Sequence, residues 1–286
     1  MVRDTGFPVA DAENDFLRVR RRQVLSRLAN WLRHGPDDVD VMLPFDEVVA
    51  ALGRVGERRI GLETISLDSI VGSVDRARGD FDRRFRPTSG RVRERWQRLA
   101  LAHRRGEAIP PIEVYRVGAL HFVYDGHHRV SVARALNLAT IDAYVTVVAT
   151  KLSPDGIGTR RDLLVKDYRR IFLERVPLTG QARAAVQLTD PWDYAELAES
   201  VEAWGFRAMQ EERAYLDRAT VAQRWYDEEF VPVVRMAREA DLMAAATDAE
   251  SYMWVACERY RLIRTHRWDD EVIAALRSGQ RGEPPP

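Results

Sequence analysis

The stretch LHFVYDGHHRVSVARALNLATIDAYV, Leu120 to Val145, decides how the rest of the chain is read. An apolar segment passes through Asp125, Gly126, His127, His128 and Arg129 into a helix-like pattern, then out to a second β-branched segment. A strand that ends in Asp-Gly and turns at once into a helix aims the first free N–H groups of that helix above the sheet edge. Those donors and the positive end of the helix dipole favour an anion. Gly126 admits a positive φ and a close approach of the backbone. Asp125 is expected to accept from the first-turn N–H groups as a cap does. His128 and Arg129 place basic residue types where the helix alone disfavours them, a cost that a bound anion would offset. Val130, Val132, Ala133 and Leu136 are expected to anchor the helix to the sheet.

Three readings stay open at this junction: a phosphate site, a metal site, or a capped turn. Asp125, His127 and His128 are all metal-capable types. Adjacent residues at a helix start point in different directions, however, and the other histidines (34, 103, 121 and 266) show no ligand spacing. No metal ligands are assigned.

Working outward, Ile112–Val117 and Leu120–Tyr124 read as strands joined by Gly118-Ala119, short enough for a hairpin. Thr88–Arg105 reads as a helix with Ser89 as N-cap, and Ile60–Val71 as a strand and turn. "GERR" at 56–59 spells a motif of partition proteins, but no helix N-terminus follows it, and it is read as a charged loop. Asn14–His34 is expected to be a helix whose apolar stripe is Phe16, Leu17, Val24, Leu28, Trp31 and Leu32. Pro44–Leu52 is a second, short helix.

After Lys151 the pattern becomes helical throughout. Helices are expected over 160–175, 191–213, 217–241, 247–265 and 268–277, with Pro232 kinking or dividing the third. Five of the seven tryptophans (192, 204, 225, 254 and 268) lie here and are read as core and inter-helix packing. The organisation is therefore an N-terminal helical segment (1–55), an α+β domain (56–152), a helical C-terminal domain (153–278) and a frayed tail (279–286).

Composition sets outer limits. Net charge is zero over 286 residues, so the whole chain is no generic nucleic-acid binder. Locally, Arg76–Arg105 holds eleven arginines against Asp80, Asp82 and Glu94. Guanidinium forks suit phosphate geometry, and this band makes DNA an expected partner. From Val201 to Glu250 the balance reverses, with six arginines against eleven acids. Cys257 is the one cysteine, which excludes an internal disulfide and a multi-cysteine metal site. No apolar run reaches the length of a membrane helix, and the expected location is the cytoplasm with no membrane partner.

The span from about Thr64 to Val147 resembles the ParB/sulfiredoxin superfamily. "ISLDSIV" resembles the opening strand and turn of partition proteins, and "RGDFD" (Arg78–Asp82) their arginine ahead of a Phe-Asp pair. "GEAIPPIEVY" is similar to their Gly-x-x-x-Pro-Ile-x-Val entry to a strand, and "DGHHRVSVARALNLATIDAYV" to the Gly-x-x-Arg strand–helix turn. The resemblance implies an α+β ParB/sulfiredoxin-like nucleotide-binding domain followed by an all-α C-terminal region. It implies a nucleoside triphosphate, CTP or ATP with Mg2+, held by Gly126, His127, His128 and Arg129, with Arg78 as a second phosphate contact.

Departures narrow the activity. Sulfinic-acid reductases of the superfamily carry cysteine at the turn, where this chain has histidine. Partition clamps follow the nucleotide domain with a helix-turn-helix and a Glu-Asn-x-x-Arg segment, and neither is legible here. Two readings follow. One is a nucleotide-gated binding module, associated with DNA or chromosome partitioning, whose helical region meets a protein partner. The other is a phosphoryl-transfer enzyme, a kinase or NTPase, in which Asp125 handles the attacking hydroxyl and His128 stabilises developing charge. Glu107, Glu113 and Asp68 are alternative carboxylates for the same task.

Overall fold

The computed structural model describes residues 5–32, 42–74, 79–241 and 246–263, and the chain divides into one unit through Leu163 and another from Leu164. In the first unit, α1 (Pro8–Leu32), β1 (Leu43–Pro44), α2 (Phe45–Leu52) and β2 (Arg54–Ser66) precede a 3₁₀ turn at Leu67–Ser69. Then follow β3 (Ile70–Ser73), α3 (Arg93–Arg104), β4 (Ile112–Val117), β5 (Leu120–Asp125), α4 (His127–Ala135) and β6 (Thr140–Thr150). The strands form one mixed sheet in the order β1-β3-β5-β4-β6-β2. β4 and β5 make the expected hairpin, with Gly118 at φ 56° in its turn.

The long edge strand β2 corrects the reading of residues 56–59. Glu57, Arg58 and Arg59 pair with Val148, Val147 and Thr146 of β6, so "GERR" is strand and not loop. Its side chains are exposed, and the apolar alternation that would mark a strand is missing because β6 supplies the buried side. Charged residues of this kind protect a sheet edge from unwanted pairing.

Helix α4 lies between the sheet and a second helical layer. Val130 and Ala133 join Ile65, Ile70, Ile112, Val114, Val123, Ala143 and Val145 in the core over the sheet. Val132 turns to Phe16, Trp96 and Ala100 of α1 and α3. The Trp96 Nε1–H donates to Ser131 Oγ at 2.8 Å, which fixes α3 against α4. Ser89 does not cap α3, which starts at Arg93 after an uncapped Val92; the Ser89 hydroxyl binds Asp80 Oδ1 instead.

α1 is rotated relative to the expected stripe. Ala12, Phe16 and Val19 are buried, while Leu17, Val24 and Leu28 are exposed; the side chains of Trp31 and Leu32 lie outside the described residues. Two carboxylates set this rotation: Asp11 and Asp15 are each 1% exposed. Arg104 of α3 reaches Asp15 at 2.5 Å and Asp11 at 3.7 Å, so turning the helix by half would bury leucines at the cost of stranding this charge cluster.

α5 (Arg160–Arg175) runs across the unit boundary, and the second unit continues with α6 (Gly180–Ala185), α7 (Asp193–Glu212), α8 (Arg218–Trp225), a π-helical segment (Tyr226–Phe230), α9 (Val231–Glu239) and α10 (Asp248–Ile263). The third expected helix is thus divided at a π turn just before Pro232, which sits in the first turn of α9. α10 opens with a reciprocal cap: the Glu250 N–H donates to Thr247 Oγ1 and the Thr247 N–H to Glu250 Oε2. Trp225 is fully buried among Phe230 and Tyr252. Trp192 departs from the expected packing role and is 68% exposed. The expected helix at 268–277, Trp268 and the tail at 279–286 lie outside the described residues. Among the described residues no helix is long and apolar enough to cross a membrane.

Candidate functional site

The junction folds as a strand, one glycine and a helix. Gly126 is the N-cap of α4 at φ 114°, and no side chain caps the helix. A Cβ at residue 126 would stand 2.5 Å from Ile112 Cγ2, so glycine is required both by φ and by space. Asp125 does not cap. Its carboxylate, on a side chain 60% exposed, receives the Arg129 NH2 group one turn on.

Arg129 is correspondingly occupied. Its NH1 group donates to the carbonyls of Pro110 (3.0 Å) and Pro111, and its side chain is 13% exposed. The guanidinium therefore ties the turn to the Pro110-Pro111 segment that feeds β4. This is a fastening role, reached through residues that sequence spacing does not connect.

The two histidines diverge. His127 Nε2 lies 2.6 Å from Ser73 Oγ, and its ring stacks near Phe81 and Phe85. His128 meets the edge of Phe81 at 5.1 Å and has a buried Nδ1 with no hydrogen-bond partner. Burial, and secondarily the charge of Arg95, holds the His128 ring well below its usual range, at about 4. It is a neutral imidazole at pH 7, and the cationic role expected of it near a bound anion is absent in this state.

In front of the turn opens a cleft of about 750 Å3. Its back is the Gly126–Arg129 turn, its side is Phe81, Leu99 and Ala102, and its rim carries Asp80, Glu107 and Asp125. Arg95 and Arg98 of α3 line it as exposed guanidiniums, and neither makes an ion pair among the described residues. These two add positive charge to a cleft that Arg129 also lines. The signal was present: with Trp96 and Ala100 buried, an arginine pair three apart shares the opposite side of α3. What was missing was the packing of α3 beside α4.

The loop before α3 is held by Asp82, 7% exposed. Its Oδ1 accepts from the N–H groups of Arg84 and Arg86, and its Oδ2 from Arg86 Nε at 2.7 Å. Arg78 lies outside the described residues, as does Arg76. The arginine band itself disperses: Arg86, Arg93, Arg104 and Arg105 face carboxylates, leaving Arg95 and Arg98 in the cleft. Of the alternative carboxylates, Glu107 lines the cleft, Glu113 is exposed on β4, and Asp68 lines a separate hollow beside Asn137 at the far end of α4.

No family model matches the chain, and no curated protein does. Among solved structures, sulfiredoxin from Arabidopsis thaliana is similar at 20% identity, over 29% of this chain and 82% of that one, with a TM-score of 0.23. A Pnob8-like ParB-N domain is similar at 10% identity, over 78% of this chain and 81% of that one, with a TM-score of 0.22. Both bear the names of the superfamily that the motif order resembles. At TM-scores this low neither likeness carries weight by itself.

Proposed function

We propose that the first unit is a nucleoside-triphosphate-binding module of the ParB/sulfiredoxin kind. The triphosphate enters the cleft between α3 and the start of α4. The observation that carries this reading is the uncapped, glycine-led N-terminus of α4 facing Arg95 and Arg98 across the same cleft. Backbone N–H groups and the helix dipole meet the phosphate on one side, and two guanidiniums meet it on the other. Arg129 shapes the turn and the close backbone approach rests on Gly126. Magnesium accompanies the nucleotide, with Asp80, Glu107 and Asp125 at the rim as its nearest carboxylates. The ordered motif resemblance from Thr64 to Val147 supports CTP or ATP as the ligand class. A module linked to DNA or chromosome partitioning is the role this resemblance favours, with the helical unit engaging a partner.

A phosphoryl-transfer enzyme is the second reading, and one observation favours it: His128 is neutral and lines the cleft, as a donor to developing negative charge would be. Asp125, engaged by Arg129, and Glu107, beside Arg105, both line the cleft as carboxylates for the attacking hydroxyl. Calorimetric titration with CTP, ATP and ADP plus magnesium, followed by a product assay, separates the two. Binding without turnover supports the module, turnover supports the enzyme, and no binding removes both.

A further inference from the structure

The helical unit carries a cavity of its own, independent of the cleft beside α4. It measures about 300 Å3, at the lower end of the range for small-molecule sites, and lies between α7, the π segment and α10. Glu229 lines it and is 8% exposed, a depth that glutamate rarely occupies unless fully paired. It belongs to the π turn Tyr226–Phe230, an irregularity that inserts an extra residue into a helix and recurs at functional sites.

The pairing of Glu229 is incomplete. Arg259 approaches with both NH1 and NH2, yet each lies 3.5 Å from the same oxygen, Oε1, at the limit of a hydrogen bond. Among the described residues no donor reaches Oε2. Glu229 lines the cavity with its side chain 10% exposed, so its acceptor capacity beyond Arg259 is open to a ligand there. The Trp225 Nε1–H nearby donates to Tyr252 Oη at 3.1 Å.

Charge identifies the class of ligand. Glu196 and Glu229 balance Arg207 and Arg259 around the cavity, so neither a net cation nor a net anion is favoured. We infer that the cavity binds a small zwitterion. Its protonated amine donates to Glu229 Oε2, its anionic end meets Arg207, and its hydrocarbon part lies along Leu197 and Met253.

The test is calorimetric titration of the full chain with the free proteinogenic amino acids, then with the N-acetyl and carboxamide forms of any that bind. At least one free amino acid is expected to bind at a single site. N-acetylation is expected to weaken it by about tenfold or more, and Glu229→Gln by a similar factor. Arg207→Ala is expected to weaken the free acid and not its carboxamide. Ala203→Met, at the exposed mouth of the cavity, keeps the buried pair intact and is expected to abolish binding with an unchanged melting temperature. Absence of binding by every free amino acid at millimolar concentration overturns the inference. So does binding that survives both N-acetylation and Ala203→Met.

Discussion

Gly126 stands against Ile112 so closely that a Cβ on residue 126 would lie 2.5 Å from Ile112 Cγ2, with the glycine backbone at φ 114°. The turn that opens α4 is thus fitted to the first residue of β4, and no side chain caps the helix there. Gly126→Ala brings both a strained φ and a core clash, and is expected to cost about 2–4 kcal/mol. Denaturant unfolding measures this, and a loss under about 0.5 kcal/mol contradicts the fit.

Arg129 separates fastening from binding. Arg129→Ala leaves the Pro110 and Pro111 carbonyls without their donor and is expected to destabilise the first unit by about 1–3 kcal/mol. Asp125→Asn acts on the exposed end of the same contact and is expected to cost no more than about 1 kcal/mol. Equal losses for the two variants would show that the ion pair, and not the carbonyl contacts, holds the turn.

Acid sensitivity has a named source. Ser69 Oγ donates to the Ser66 carbonyl at 2.6 Å, so His121 Nδ1 is the donor to Ser69 Oγ at 2.9 Å. His121 Nε2 is left buried without a partner. Burial, with Arg116 adding to it and Glu63 opposing, lowers this ring from 6.5 to about 4. The unfolded chain therefore binds more protons than the folded one between these values, and stability falls as pH drops from about 6.5 towards 4. Melting temperatures across that window are expected to decline in the wild type and to decline less in His121→Phe. The residual slope comes from His128, whose ring is shifted in the same direction. An unchanged slope in His121→Phe would remove His121 as the cause.

His128 also reports on the cleft. An anion placed before α4 offsets the charge of Arg95 and favours the protonated ring, so bound nucleotide is expected to raise the His128 titration above about 4. Proton NMR of the His128 ring with and without nucleotide checks this, and a downward or absent change rejects an anion beside it.

Much of this was legible because it is local. Asp-Gly between a strand and a helix, the Gly118-Ala119 hairpin and the break before Pro232 are all written within a few residues. The losses were non-local. α1 exposes Leu17 and Leu28 because Arg104, far along the chain, holds Asp11 and Asp15 inward. β2 is strand at Glu57–Arg59 because β6 provides the apolar partner. In the site, Gly126 at the strand–helix turn followed from sequence, whereas the missing Asp125 cap, the fastening of Arg129 to Pro110 and Pro111 and the presence of Arg95 and Arg98 in the cleft required knowing that Pro110-Pro111 and α3 flank the turn.

The central claim is that the cleft at the start of α4 grips phosphate through main-chain donors and two arginines. Titration of CTP and ATP with magnesium into wild type, the Arg95→Ala/Arg98→Ala double variant and, as a control, Arg22→Ala at an exposed position of α1 outside the cleft tests it most directly. The expected result is binding by wild type and Arg22→Ala, weakened by more than about tenfold in the double variant. Wild-type protein that binds neither nucleotide, or a double variant that binds as wild type does, contradicts it.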